Sequence, residues 1–123
     1  MGNCLCEPAE IMLFACSGAA NVGQISNDAA FALHKEGKAR MFCLAGLGGH
    51  VQPIIDATKQ AKKIVVVDGC QVACAKKIVE HAGFKIDDYI VVTEEGIEKV
   101  AGKTEFSEDE VGKIKKRIEK NLQ

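Results

Sequence analysis

Lys63-Ile-Val-Val-Val-Asp68-Gly69-Cys70-Gln-Val-Ala-Cys74 is the stretch that decides the fold. Four β-branched residues in a row, Ile64 to Val67, predict a strand over Lys63–Asp68. The run is apolar without alternation, as in a strand buried on both faces. Gly69 breaks it, and a helix is expected over Cys70–Ala82, closed by Gly83.

Outward from this stretch the same order of strand, small-residue break and helix recurs. Upstream, Ile11–Cys16 reads as a strand, Ser17–Gly23 as a loop, and Gln24–Glu36 as a helix ended by Gly37. Lys38–Leu44 is the next strand, Ala45–His50 a glycine-rich loop, and Val51–Ala61 a helix with Pro53 in its first turn, where a missing N–H costs little. Downstream, Tyr89–Val92 forms the core of a fourth strand. A short helical turn is expected around Ile97–Val100. Ser107 and Glu110 have capping-box spacing at the start of a last helix, whose apolar stripe is Val111, Ile114, Ile118 and Leu122. Strands alternating with helices through short connections mean βαβ units and a parallel sheet. The expected fold is α/β: a three-layer αβα arrangement with a four-stranded parallel sheet, flavodoxin/Rossmann-like, in the order 2-1-3-4. Residues 1–10 read as a tail carrying Cys4 and Cys6, and residues 11–123 as one domain.

Composition narrows the function. The chain has 123 residues, enough to bury a core without disulfide staples, with 47% hydrophobic and 27% charged residues, as in globular proteins. A formal net charge of -1, no Trp and one Tyr argue against nucleic acid as a partner. No window approaches the roughly 20 apolar residues of a membrane helix, and residues 1–10 hold no basic residue of a signal peptide. Met1-Gly2-Asn3-Cys4 fits an acylation signal poorly. The Lys113, Lys115, Lys116, Arg117 and Lys120 cluster is read as a solvated face. Six cysteines without a secretion signal point to a reducing, cytoplasmic setting, where clustered cysteines bind metal or do redox chemistry.

Four of those cysteines lie at strand ends or beside one. Cys16, Cys43 and Cys70 follow three strands, and Cys74 comes four residues after Cys70. In a parallel sheet all four reach the carboxyl edge, where α/β folds bind ligands. On the expected helix, Cys70 and Cys74 stand one turn apart on one face, and a helix N-terminus favours a thiolate. Four thiolates suit tetrahedral Zn²⁺; an iron–sulfur cluster or Cu(I) is also compatible. The alternative is a thiol enzyme or carrier in which Cys70 attacks or carries sulfur, selenium or a metalloid. Cys74, Cys16 or the Cys4-Leu5-Cys6 pair would then resolve it.

The glycine-rich segments are the other candidates. Gly18-Ala-Ala-Asn-Val-Gly23 has the outer spacing of a phosphate loop, but Gln24 and Ile25 replace the required Lys and Ser/Thr. Val51 occupies the third-glycine position of a dinucleotide fingerprint after Gly46-Leu-Gly48-Gly49. A phosphatase-type nucleophile at Cys16 would need an arginine where Val22 stands. Backbone N–H groups and small residues leave Ser17, Gly18, Asn21, Gly48 and Gly49 as candidate ligand-binding positions. His50 is read as a surface or capping residue, and His34 and His81 as helix residues. Asp68 is read as an acceptor of backbone hydrogen bonds that shapes the cysteine turn.

Three motifs in order carry a family resemblance. Phe14-Ala-Cys16-Ser-Gly-Ala-Ala-Asn-Val-Gly23, Met41-Phe-Cys43-Leu-Ala-Gly-Leu-Gly-Gly-His50 and Asp68-Gly69-Cys70-Gln-Val-Ala-Cys74 closely resemble the DGC-domain family, named for its Asp-Gly-Cys motif. The likeness extends through Val91-Val-Thr-Glu-Glu-Gly96. Members are described as zinc-binding on the strength of four cysteines, which are Cys16, Cys43, Cys70 and Cys74 here. The resemblance implies no particular activity or substrate.

Overall fold

A computed structural model describes residues 10–122. The first strand, β1 (Ile11–Ala15), leads into α1 (Asn21–Lys35). The short β2 (Arg40–Met41) is followed by α2 (Leu44–Gly48) and α3 (Gln52–Lys59). Then come β3 (Lys63–Asp68), α4 (Cys74–His81), β4 (Asp88–Val91), a 3₁₀ turn over Val92–Glu95, and α5 (Glu108–Glu119). All pairings are parallel and the strand order is β2-β1-β3-β4, as expected.

Side-chain alternation along the central strands builds the two outer layers. Leu13, Ala15, Val65 and Val67 bury one sheet face against Ile25, Leu33, Ile114 and Ile118 of α1 and α5. Met12, Phe14, Ile64 and Val66 bury the other against Leu47, Ala57, Ala75 and Val79 of α2, α3 and α4. Successive strand residues point to opposite faces, so both sets must be apolar.

Helix ends follow local chemistry. Gly37 and Gly83 adopt positive φ after α1 and α4. In each case the next residue closes a Schellman bond, Lys38 N–H to the Leu33 carbonyl and Phe84 N–H to the Val79 carbonyl. Ser107 and Glu110 form the complete capping box of α5. Its stripe packs as read, with Ile114 and Ile118 fully buried and Val111 and Leu122 at the margin.

Four local expectations are corrected. Strand two is two residues long, not Lys38–Leu44, because Cys43 caps a helix that begins at Leu44. The outer edge of this short strand is covered by His34, whose Nδ1 accepts the Met41 N–H at 3.1 Å. The glycine-rich segment 45–50 is α2 through Gly48 rather than a loop. Its glycines serve packing: a Cβ on Gly46 would lie 2.8 Å from the Ile54 side chain of α3, and Gly48 faces Ile78 of α4. The helix after β3 starts at Cys74, not Cys70. The helical turn lies at Val92–Glu95, whereas residues 97–100 are irregular. Among the described residues, no helix is long and apolar enough to cross a membrane.

Candidate functional site

The parallel sheet delivers Cys43, Cys16 and Cys70 to its carboxyl edge just beyond β2, β1 and β3, with Cys74 opening α4. All four are free thiols. Cys4 and Cys6 lie outside the described residues. The four side chains have separate surroundings. Cys16 continues the ladder, donating its N–H to the Val67 carbonyl at 3.0 Å, and packs against the α2–α4 layer. Cys43 is exposed, and its Sγ accepts the Gly46 N–H at 3.3 Å as the cap of α2. Cys74 is exposed at the first turn of α4. Cys70 packs against the α1–α5 layer, on the sheet face opposite to Cys16.

Asp68 explains why Cys70 and Cys74 do not share a helix face. Its buried carboxylate accepts the N–H groups of Ala75 (2.8 Å) and Lys76 (3.0 Å). These are unpaired donors at the start of α4, so the carboxylate fixes where the helix begins. Ala73, just before α4, is left-handed at φ 61, and its N–H closes a turn onto the Cys70 carbonyl at 3.1 Å. Asp68 also accepts the Tyr89 hydroxyl at 2.8 Å. Burial, then the bond to Asp68, hold the Tyr89 phenol well above its ordinary pKa, with the nearby Glu94 and Cys70 adding in the same direction. The reading of Asp68 as the residue that shapes the cysteine turn holds.

Cys70 opens into a cleft of about 570 Å³, walled by Val72, Thr93, Gly96, Ile97 and Lys99. Lys99 Nζ lies 3.5 Å from Cys70 Sγ. At this distance the ammonium is placed to donate a hydrogen bond to the sulfur. The loop carrying Lys99 is pinned by Asn21, a buried residue of the first motif. The Asn21 side-chain amide donates to the Glu98 carbonyl at 3.0 Å and its oxygen accepts the Val100 N–H at 3.5 Å. The first motif thus positions a cation beside the sulfur of the third.

The glycines lock the same corner. A Cβ on Gly69 would lie 2.8 Å from the Val22 carbonyl carbon and 2.9 Å from the Gly23 nitrogen; one on Gly23 would lie 2.6 Å from the Gly18 carbonyl oxygen. The β3 end and the start of α1 therefore touch backbone to backbone, which only glycine permits. Ser17 and Gly18 are exposed, and their carbonyls accept the Gln24 side-chain amide at 3.1 and 3.0 Å.

Of the candidate ligand-binding residues, the structure brings Asn21 toward the Cys70 cleft as a support. Gly48 and Gly49 belong to α2 and its end. Lys99 escaped sequence reasoning because it is one lysine in an irregular segment, 29 residues from Cys70. The usable signal was topological: a parallel β4 must deliver the segment after it to the edge where Cys70 emerges. Four thiols suit Zn²⁺ chemically. Among the described residues, however, no three His, Cys, Asp or Glu side chains stand together in a way that could hold a metal ion.

The cysteines, the glycine contacts and the Asp68 cap all fall on the motif residues quoted above, and the DGC domain model matches residues 12–118. The chain belongs to the DGC domain family. One relative of this DGC protein is the Anaerobic and virulence modulator AnvM of Pseudomonas aeruginosa. It is 32% identical over 91 residues, spanning 74% of this chain and 70% of the relative. No solved structure matches the chain.

Proposed function

We propose that this DGC domain is a thiol-site protein in which Cys70 is the working nucleophile, taking up a small sulfur-, selenium- or metalloid-bearing ligand in the adjoining cleft. The observation that carries this reading is Lys99 Nζ at 3.5 Å from Cys70 Sγ, at the wall of a cleft of about 570 Å³. The thiolate is the reactive form of cysteine, and reactive cysteines sit beside cations in partly open surroundings. The free thiols agree with a reducing, cytoplasmic setting.

A second reading has one observation in its favour: Cys16, Cys43 and Cys70 leave adjacent strands at one edge, with Cys74 next to them. In that reading the four thiolates bind Zn²⁺, or another soft ion such as Cu(I) or an iron–sulfur cluster. Cys16 and Cys70 would have to turn toward each other from opposite sheet faces. Site-resolved alkylation of the reduced protein, with and without one equivalent of Zn²⁺, separates the two. Cys70 labelling first, with Zn²⁺ leaving Cys16 and Cys43 unprotected, is expected for the nucleophile. Joint protection of Cys16, Cys43, Cys70 and Cys74 would replace it with the metal reading.

A further inference from the structure

The contact between Cys70 and Lys99 is fixed from two directions. Buried Asn21 holds the backbone on both sides of Lys99, through the Glu98 carbonyl and the Val100 N–H. The Asn21 N–H donates to the Lys103 carbonyl at 3.1 Å, and the Lys103 N–H to the Val100 carbonyl at 3.1 Å, which ties the same segment to the start of α1. On the sulfur side, the Thr93 N–H donates to the Gly69 carbonyl at 3.2 Å, and the Ala73 N–H closes the turn onto the Cys70 carbonyl. Two segments 29 residues apart thus hold an amine 3.5 Å from a sulfur. Among the described residues, no other lysine has its Nζ in hydrogen-bond reach of a cysteine sulfur. Cys16, the thiol from the neighbouring strand, packs on the opposite sheet face. Both members of the pair line the open cleft, so a small oxidant reaches the sulfur.

We propose that Cys70 and Lys99 form a reversible covalent S–N crosslink when a hydroperoxide oxidises the sulfur. The inference rests on the reading of Cys70 as the working thiol. In the first step the Cys70 thiolate attacks one peroxide oxygen. An S–O bond forms as the O–O bond breaks, and the departing hydroxide gains a proton to become water. The sulfur is oxidised to a sulfenic acid and the peroxide is reduced. A sulfenic acid condenses with a nucleophile held beside it, a thiol or a nitrogen, and here the nucleophile in place is Nζ. The Lys99 ammonium gives one proton to the sulfenic oxygen, and the freed electron pair attacks the sulfur. The S–N bond forms as the S–O bond breaks, the oxygen leaves as water, and a second Nζ proton passes to solvent. This step consumes no further oxidant. The fixed backbones keep the two groups together, and the flexible lysine stem absorbs the remaining approach. The crosslink ties the β3–α4 turn to the loop after β4 and withholds the sulfur from further oxygen. A thiol reopens it by attacking the sulfur and releasing the amine.

The test uses the full chain, reduced and then treated with hydrogen peroxide, with the remaining thiols blocked before digestion and mass spectrometry. The expected product joins the Cys70 and Lys99 peptides, is lighter than the two reduced peptides together by two hydrogen atoms, and is undone by dithiothreitol. Lys99→Arg keeps the positive charge at an exposed position, but a guanidinium does not lose its proton and cannot attack the sulfur. That variant should keep its melting temperature, form no crosslink, and carry about threefold or more sulfinic acid at Cys70 for the same peroxide dose. Cys70 oxidised to sulfenic or sulfinic acid, or joined to another cysteine, with Lys99 unmodified would overturn the crosslink while leaving Cys70 as the working thiol. Oxidation at Cys43 and Cys74 with none at Cys70 would overturn both.

Discussion

The β1–α1 and β3–α4 crossovers leave the same sheet edge, each with a cysteine just past its strand, and they are closed by opposite means. The β3–α4 crossover is held from within. Asp68 at the strand end binds two N–H groups of α4 and the Tyr89 hydroxyl, and the turn between holds Cys70 toward its cleft. The β1–α1 crossover has no side-chain cap on its helix; Ala20 stands at that position. It is held by what lies around it: Gln24 on the Ser17 and Gly18 carbonyls, and Asn21 on the loop carrying Lys99. One crossover presents the sulfur and the other secures the cation beside it. The two meet where Gly69 lies against the Val22–Gly23 backbone.

The comparison is broken most severely at Asp68. Asp68→Ala strands two helix donors and a phenol, and should lower unfolding free energy by roughly 3 kcal/mol in denaturant titration. A loss below about 1 kcal/mol would mean that α4 is fixed by packing instead. Next comes the contact between the crossovers. Gly69→Ala drives a methyl into backbone atoms and should cost about 1–3 kcal/mol. Gly18→Ala, where an added Cβ meets nothing within 4 Å, should stay within about 0.5 kcal/mol. Equal costs would show that Gly69 is not a contact glycine.

A smaller effect belongs to Tyr89, half-buried beneath the crossover. Tyr89→Phe removes one hydrogen bond to a carboxylate, worth about 1–2 kcal/mol. Its pH dependence has a definite sign. The Tyr89 phenol keeps its proton in the folded chain at pH values where the unfolded chain, titrating near about 10, has lost it. The folded state then binds more protons, so this contribution is complete below about pH 10 and declines as pH rises through and beyond it. Subtracting the Tyr89→Phe stability curve from that of the native chain should leave this alkaline decline. A difference that stays flat into the alkaline range would place Tyr89 outside the Asp68 network.

What was legible in the sequence was what neighbouring residues determine. Ile64–Val67 specify β3, Ser107 and Glu110 specify the start of α5, Gly37 and Gly83 specify helix ends, and the alternation of elements specifies a parallel sheet. The errors lie where distant groups override local pattern. The Cys43 sulfur caps α2 and makes a helix of a glycine-rich segment. Asp68 reaches forward seven and eight residues to α4, which separates Cys70 from the helix that its i, i+4 spacing with Cys74 implied. The motif cysteines were legible as residues of one sheet edge. Their division between the two sheet faces was not, because it depends on how each crossover leaves its strand. Lys99 reaches Cys70 only through the fold, held there by Asn21.

The most direct test of the account is the alkylation rate of Cys70 by neutral iodoacetamide, resolved by site, in the native chain and in Lys99→Gln. Cys43 and Cys74 are the more exposed thiols. The account nevertheless predicts that Cys70 labels first, and that losing the cation slows it about fivefold to tenfold, the Coulomb energy of a unit charge at this range in water. Cys43 and Cys74 should be unaffected by the substitution. A Cys70 that labels behind them, at a rate indifferent to Lys99, would contradict the assignment of Cys70 as the working thiol.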